Sequence, residues 1–408
     1  MTRRVLFVHN NFPGQFGALS QELAKRGDLT RAIGSRSARD VGATKVERWA
    51  VDRPSTPGLL PLATRVEADM IRGRVAAQAA LRLRDEGFTP DLIIGHPGWG
   101  ETMFLKEVFP NAKQILHAEF FYRSSGADTG FDPAFDQPRV DGGFRTHAKN
   151  AGMALAYVEA ERLVAPTPFQ AGLLPSMLRD RCRIIHEGID TDAIRPRANP
   201  VLTFKSGRKI DRSTPVITLI NRTLEPLRGF NVFMRALPAV MKAVPTAHVM
   251  VIGKDGPASY GPSAPKGSTW KSVMLKELEG QLDTGRVHFT GRLPHGLMLD
   301  VLAVSAAHVY YTYPFVLSWS LIEAMASGCN IIASDTAPVR DALEDGVSAT
   351  LLDFFDVAAL SEALISACEN PARYAPLREA ARKVAVERYD KAAVCMPAWL
   401  NLIDEVSA

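Results

Sequence analysis

Residues 216–252 read VITLINRTLEPLRGFNVFMRALPAVMKAVPTAHVMVI. The stretch opens on an apolar run, Val216–Ile220, and passes through a loop that holds Pro226 and Gly229. It continues at helical periodicity from Phe230 to Ala243 and closes on a second strand-like run, His248–Ile252. Short apolar runs without alternation suit strands covered on both faces, and a helix between two of them suits a parallel crossover.

The pattern extends in both directions. Further on, Val287–Thr290, Ala307–Tyr311 and Asn330–Ala333 read as strands, with helices expected at Lys271–Leu282, Leu297–Val304 and Ser320–Ser327. Upstream, Val5–Val8 leads through a loop with Gly14 and Gly17 into a helix from Ala18 to Lys25. Asp91–Gly95, Gln114–Ala118, Leu163–Pro166 and Arg183–His186 continue as strands. The expected class is α/β, two doubly wound Rossmann-like parallel-sheet domains. An irregular Pro-, Lys- and Arg-rich segment at 195–215 reads as the linker. The expected division is 1–200, 201–390 and a C-terminal helix at 391–408 around Trp399, Leu400, Leu402 and Ile403. That helix either packs back across the junction or ends the second domain. Parallel sheets bind ligands at the carboxyl ends of their strands, so two facing sheets would set a cleft between them.

Composition narrows the class. A chain of 408 residues, 46% hydrophobic, has enough apolar material for two cores. A net charge of +4 is too small to suggest a nucleic-acid binder. Cys182, Cys329, Cys368 and Cys395 show no metal spacing and read as reduced thiols. The run Val5–Val8 is too short for an export signal, and no stretch approaches the ~20 apolar residues of a membrane span. A cytoplasmic location is expected. Arg65, Arg72, Arg74, Arg82 and Arg84 lie in a helical stretch, Leu62–Arg84, that lacks bulky apolar partners. A solvated helix face is favoured over a membrane-surface helix.

Three loops carry candidate chemistry. Gly14 and Gly17 follow the first strand, where glycines let a backbone approach a ligand and a helix start favours an anion. A tight turn is an equal reading. Arg222 and Arg228 flank a strand-to-helix loop, where two guanidiniums suit a diphosphate; two solvated arginines are the plainer alternative. In Tyr313–Gly328, the backbone N–H groups of Ser318 to Leu321 sit at a helix start, with Glu323 one turn in. Glu323 reads as a ribose ligand or, with Ser320, as a capping box. His96 and His117 each stand at a strand end, and Glu119 follows His117.

Taken in order, these segments resemble the family-4 retaining glycosyltransferases of GT-B architecture. Leu321–Gly328, LIEAMASG, is similar to the family's L-x-E-A-M-A-x-G, and Val249–Gly253 and Val287–Gly291 resemble its V-x-V-x-G and V-x-F-x-G segments. Ile185–Asp190 resembles the inter-domain N-G-V-D turn. The resemblance implies a nucleotide-diphosphate sugar as donor, bound by Gly14, Gly17, Arg222, Arg228, Gly253, Ser318, Trp319 and Glu323. It implies catalytic roles for His117, Arg222 and Arg228, and acceptor contacts from His96, His117 and Glu119. Retention of anomeric configuration and metal-free catalysis without a cofactor are also implied. Asp190-Thr191-Asp192 is formally a DxD but reads as structural. One departure matters: Phe315 stands where the family has the first of two glutamates, which leaves the donor sugar open. A non-catalytic sugar-nucleotide binder and a GT-B epimerase are the rival readings.

Overall fold

In the structure, a computed structural model that describes residues 2–135, 140–204, 207 and 209–408, the chain divides into two units. The first comprises residues 1–130, 136–187 and 392–408; the second comprises 131–135 and 188–391.

The first unit is built on a parallel sheet of seven strands: β1 (Arg4–Val8), β2 (Leu29–Ser35), β3 (Lys45–Trp49), β4 (Leu92–Gly95), β5 (Lys113–His117), β6 (Arg162–Ala165) and β7 (Cys182–Ile184). Their order is β3-β2-β1-β4-β5-β6-β7. The order reverses between β1 and β4, which pair with Val8 opposite Gly95, and that is where such a sheet opens a crevice. Successive strand residues point to opposite faces, so each strand feeds two cores. Val5 and Phe7 pack with Leu92, Ile94, Ile115 and Val164 on one side. Leu6 and Val8 pack on the other with Val75, Ala76, Ala79 and Ala80 of the helix Thr64–Asp85. That helix has a buried face of small residues. Its arginines are largely matched with acids: Arg74 with Asp52 at 2.6 Å, Arg82 with Glu47 at 2.7 Å and Arg65 with Asp69 at 2.9 Å.

The helix Met396–Ser407 belongs to this unit. Trp399, Leu402, Ile403 and Val406 are buried in the same core as Val5 and Phe7. Arg3 also binds Asp28 at 3.1 Å and Asp404 at 2.6 Å, tying both ends of the chain to one place.

The second unit holds a hairpin, β8 (Leu202–Thr203) and β9 (Lys209–Ile210), and a six-stranded parallel sheet. Its strands are β10 (Val216–Thr223), β11 (His248–Lys254), β12 (Val287–Gly291), β13 (Ala307–Tyr310), β14 (Ile331–Ser334) and β15 (Thr350–Leu352), in the order β12-β11-β10-β13-β14-β15. Residues 216–252 form one β-α-β crossover: β10, the helix Phe230–Ala243 and β11.

Two boundaries differ from the sequence reading. Residues 188–200, assigned there to the first domain, pack in the second, because Ile189 and Ile194 are buried in its core. The expected linker at 195–215 is structured for the same reason: Leu202 and Ile210 of the hairpin are buried in that core. Lys205, Ser206 and Arg208 of the segment lie outside the described residues. The Asp190–Asp192 turn is internally satisfied, with the Asp190 carboxylate accepting from Ala193 N–H at 2.9 Å and the Thr191 hydroxyl bonded to Asp390. Arg382 ties it down through the carbonyls of Thr191, Ile194 and Ala326.

Residues 131–135, although they follow the fifth strand in sequence, are part of the second unit. Phe131 packs against Tyr313, Phe354 and Phe355, and the Tyr313 hydroxyl donates to Asp132 at 2.5 Å.

Candidate functional site

In the first unit, three histidines stand at or just past the carboxyl ends of adjacent strands: His9 after β1, His96 after β4 and His117 at the end of β5. All three are buried. Ring centroids of His9 and His96, and of His96 and His117, are each 5.4 Å apart, and Trp99 stacks on His96 at 4.7 Å. Backbone geometry decides two tautomers. Asn11 N–H donates to His9 Nδ1 at 2.9 Å, so the ring proton sits on Nε2 and is donated to Gln15 Oε1 at 2.8 Å. Gly98 N–H donates to His96 Nδ1 at 3.1 Å, so Nε2–H of His96 points to Glu119 Oε2 at 3.3 Å. Gln15 completes the chain by donating to Glu119 Oε1 at 3.0 Å. His117 Nε2 lies 3.1 Å from Glu187 Oε1.

The charges follow from these contacts. Burial, reinforced by His96, lowers the His9 pKa to about 3, so this ring is neutral at physiological pH. Burial alone would raise Glu187, but His117 and His186 beside it win and bring it down to about 2. Glu119 is lowered in the same way, with its burial outweighed by His96 and His117.

Gly14 explains itself here. It sits at φ +46° and a Cβ on it would lie 2.4 Å from the His9 ring, so the loop closes onto the imidazole only as glycine. Gly17 is the first residue of the helix Gly17–Lys25. His96, His117 and Glu119 also bring one ligand atom each within 4.8 Å of one another, the only such set among the described residues. Three ligands of this kind are what a divalent cation such as zinc takes.

In the second unit the expected donor residues gather at the carboxyl ends of β10 and β13. Arg228 Nη1 donates to Thr312 Oγ1 at 2.9 Å, to the Val316 carbonyl at 3.0 Å and to the Tyr310 hydroxyl at 3.3 Å. The same Tyr310 oxygen accepts from Ser318 N–H at 2.8 Å. Arg222 is exposed and donates to the Tyr260 hydroxyl at 2.9 Å. The Tyr260 ring packs on Phe315 at 5.1 Å, and Phe315 in turn lies 5.6 Å under the Arg228 guanidinium. Phe315 thus offers an aromatic face to Arg228.

The helix Trp319–Ala326 starts differently from the sequence reading. Its N-cap is Ser318, whose hydroxyl accepts from Ser320 N–H, so Ser320 and Glu323 do not form the capping box. Glu323 is bonded to His295 Nε2 at 2.7 Å instead. Ser318 N–H, expected to face a phosphate, is taken by Tyr310. Trp319 is half-exposed. At Gly253, near the end of β11, a Cβ would lie 2.8 Å from the Asn221 carbonyl, a packing reason for glycine.

Sequence reasoning missed Glu225. It is buried, and its Oε2 accepts three backbone N–H groups, from Ser259 at 3.0 Å, Tyr260 at 3.1 Å and Gly261 at 2.9 Å. That grip places Tyr260 beside Arg222. His9, Gln15 and Glu187 were also missed. For His9 the signal was present: it follows its strand as His96 follows β4.

The chain matches the model of the glycosyl transferase family 4 group over residues 27–194 and that of the glycosyl transferases group 1 over residues 204–384. The chain belongs to the group 1, family-4-like glycosyltransferases. A D-inositol 3-phosphate glycosyltransferase of Nocardia farcinica is 25% identical over 221 residues, 53% of this chain and 47% of the relative. A phosphatidyl-myo-inositol mannosyltransferase of Mycobacterium tuberculosis is 29% identical over 218 residues, 50% of this chain and 52% of the relative. The match to these curated relatives thus spans about half of their length. Among solved structures, this glycosyltransferase chain is similar to the sucrose-phosphate synthase of Thermosynechococcus elongatus, with a TM-score of 0.72, 14% identity and 99% of both chains covered. It also resembles Anabaena Alr3699/HepE, solved with UDP and glucose, with a TM-score of 0.64 and 16% identity over 98% of this chain and 100% of that one. The shared fold is GT-B.

Proposed function

We propose that this glycosyltransferase moves a sugar from a nucleoside-diphosphate sugar to a hydroxyl-bearing acceptor, with retention of configuration and without a metal. The observation that carries the reading is the second unit's Arg222–Tyr260–Phe315–Arg228 array. It gathers two guanidiniums beside the start of the helix that bears Glu323. The UDP in the solved Anabaena neighbour supports a uridine nucleotide as the first donor to try.

The difficult step is departure of the diphosphate while the sugar gains positive charge. Arg222 and Arg228 are assigned to the leaving phosphates, where preorganised donors aimed at growing charge supply the largest catalytic share. Arg228 is held by three acceptors and needs little reorganisation. Glu323 is assigned to the ribose hydroxyls, with His295 orienting its carboxylate. Trp319, at the helix start, and Gly253, at the end of β11, remain assigned to the donor; the Ser318 contribution is its side chain and cap rather than its N–H.

In the first unit, His117 is assigned to the reacting sugar and acceptor, with His96 and Glu119 orienting the acceptor and Gly14 and Gly17 keeping the loop close. The His96 Nε2–H contact with Glu119 supports an organic network there rather than a metal site. Activity is therefore expected to survive exhaustive chelation, and its loss with rescue by zinc would overturn the metal-free reading. A cytoplasmic location is proposed on the four cysteines, none of which is in a disulfide. Arg65, Arg74 and Arg82 spend their charge on acids of their own unit, which favours a role away from lipid.

The test is binding of UDP and turnover of UDP-glucose by Arg222→Ala and Glu323→Ala. Each is expected to weaken nucleotide binding and to slow transfer. Wild-type binding and turnover in both would remove the assignment. A parallel screen of UDP-, GDP- and ADP-sugars by thermal shift identifies the base, since a ligand stabilises the state it binds.

A further inference from the structure

Arg222 is exposed, yet two features of the second unit fix where it points. The first lies in its own strand. Ile220 of β10 stands opposite Ile252 of β11 and Thr223 opposite Lys254, so three steps along β10 match two along β11. The extra residue makes a bulge that holds Arg222, and bulges re-aim the side chains they carry.

The second is the segment that follows β11. It leaves the strand after Lys254 and returns onto the 223–227 loop at residues 259–262, where four attachments hold it. The Ser259 and Thr223 hydroxyls are 2.6 Å apart. Glu225 Oε2 accepts from the N–H groups of Ser259, Tyr260 and Gly261. A Cβ on Gly261 would lie 2.8 Å from Leu227 Cβ, so glycine lets the two backbones meet. The Pro262 carbonyl accepts from the buried Trp270 indole N–H at 2.8 Å. The backbone at Tyr260 is therefore fixed, although 48% of the residue is exposed.

The Tyr260 side chain meets Arg222 in two ways. Its hydroxyl accepts from Nη1 at 2.9 Å, and its ring centroid lies 5.7 Å from the guanidinium carbon. Neither Arg222 nor Arg228 has an acidic partner among the described residues. That choice of partner bears on anion binding. A carboxylate would also hold a guanidinium, but it would neutralise the charge and compete with an incoming phosphate. A phenol oxygen and an aromatic face hold it and leave the charge in place. An exposed arginine held in this way also has less freedom to lose when the ligand arrives.

We propose that Tyr260 is a positioning residue for the transfer reaction, its hydroxyl holding the Arg222 guanidinium in the orientation that meets the leaving phosphates. The inference rests on the donor reading of Arg222, and it adds a residue that lies outside the motifs carrying the family resemblance.

The test is a double-mutant cycle on the full chain: wild type, Tyr260→Phe, Arg222→Ala and the two together. Turnover is read as release of nucleoside diphosphate from the donor that the thermal-shift screen selects, with UDP-glucose tried first. Tyr260→Phe keeps the ring on Phe315 and removes only the acceptor for Arg222. Its kcat is expected to fall about tenfold, with KM for the donor within about twofold of wild type and the melting temperature unchanged. In the Arg222→Ala background the same substitution is expected to cost nothing further, because the group it positions is gone. A wild-type kcat in Tyr260→Phe overturns the inference. So does a tenfold loss that persists once Arg222 is alanine, since the hydroxyl would then act independently of that arginine. Full turnover in Arg222→Ala removes the donor reading and this inference with it, whereas a slowed Arg222→Ala beside an unaffected Tyr260→Phe removes the inference alone.

Discussion

Arg228 shows how much one side chain can be asked to do. Its guanidinium holds the loop from Tyr310 to Val316 and is also the proposed phosphate ligand. Arg228→Ala is therefore expected to lower kcat/KM by roughly 10²–10³-fold, the scale of a lost preorganised donor, measured as initial rates with UDP-glucose. A second residue-scale expectation concerns Glu101. It is fully buried with both carboxylate oxygens unpartnered, and burial pushes its pKa up to about 8. A folded carboxyl near 8 and an unfolded one near 4.5 mean that the native state holds the extra proton between those values. Stability from this group is then present below about 4.5 and falls as pH rises towards 8. Glu101→Gln is expected to melt with wild type at pH 4 and several degrees above it at pH 8, at roughly 2–4 °C per kcal/mol for a unit of this size. Equal melting at both values would mean that the carboxyl finds a partner. Residues of this kind are hard to read in a sequence. Glu101 and Glu225 look like loop acids, and only the fold reveals that one lacks partners and the other has three.

Among the elements, the segment from Ser259 to Gly261 hangs on Glu225. Glu225→Ala leaves three N–H groups without their acceptor, at about 1–3 kcal/mol for each that stays buried. The expected outcome is a lower midpoint in urea and faster proteolytic cleavage near Tyr260. Unchanged cleavage would mean that other contacts hold the segment. Five of the six strands of the second sheet were legible because most are continuous apolar runs, as Val216–Ile220 is, whereas β15, Thr350–Leu352, was not read. β2 and β3 were not: Leu29-Thr30-Arg31 and Lys45-Val46-Glu47-Arg48 carry charge towards the sheet edge, and they pair because β1 offers a template to β2, and β2 to β3, rather than because their own pattern demands it. The hairpin β8–β9 was hidden for a related reason, since only Leu202 and Ile210 of a polar segment reach the core. At the candidate site, the arginines and the strand-end His96 and His117 were visible as residue types at strand ends. Their partners Gln15, Glu187 and Tyr260 come from other segments and had no local signal.

For the whole molecule, the two units are not consecutive pieces of chain. The polypeptide passes from one to the other at residues 130–131, 135–136, 187–188 and 391–392. Trp399→Ala is expected to cost the first unit ~3–5 kcal/mol, the range for an emptied aromatic core position, while UDP affinity in the second unit holds. Parallel loss of both would show that the units unfold together. The final helix has a further consequence on the ribosome. When residue 187 has emerged, the first sheet is complete, but Trp399, Leu402, Ile403 and Val406, which share the cover of one of its faces with Phe16, Leu19 and Leu23, have yet to be made. About 200 more residues must follow, which at ~5–20 residues per second leaves the seat of the final helix uncovered for roughly 10–40 s. Nascent chains of this protein are therefore expected to engage holdase chaperones until translation ends, and a stop codon placed just before Ala392 would make that dependence permanent.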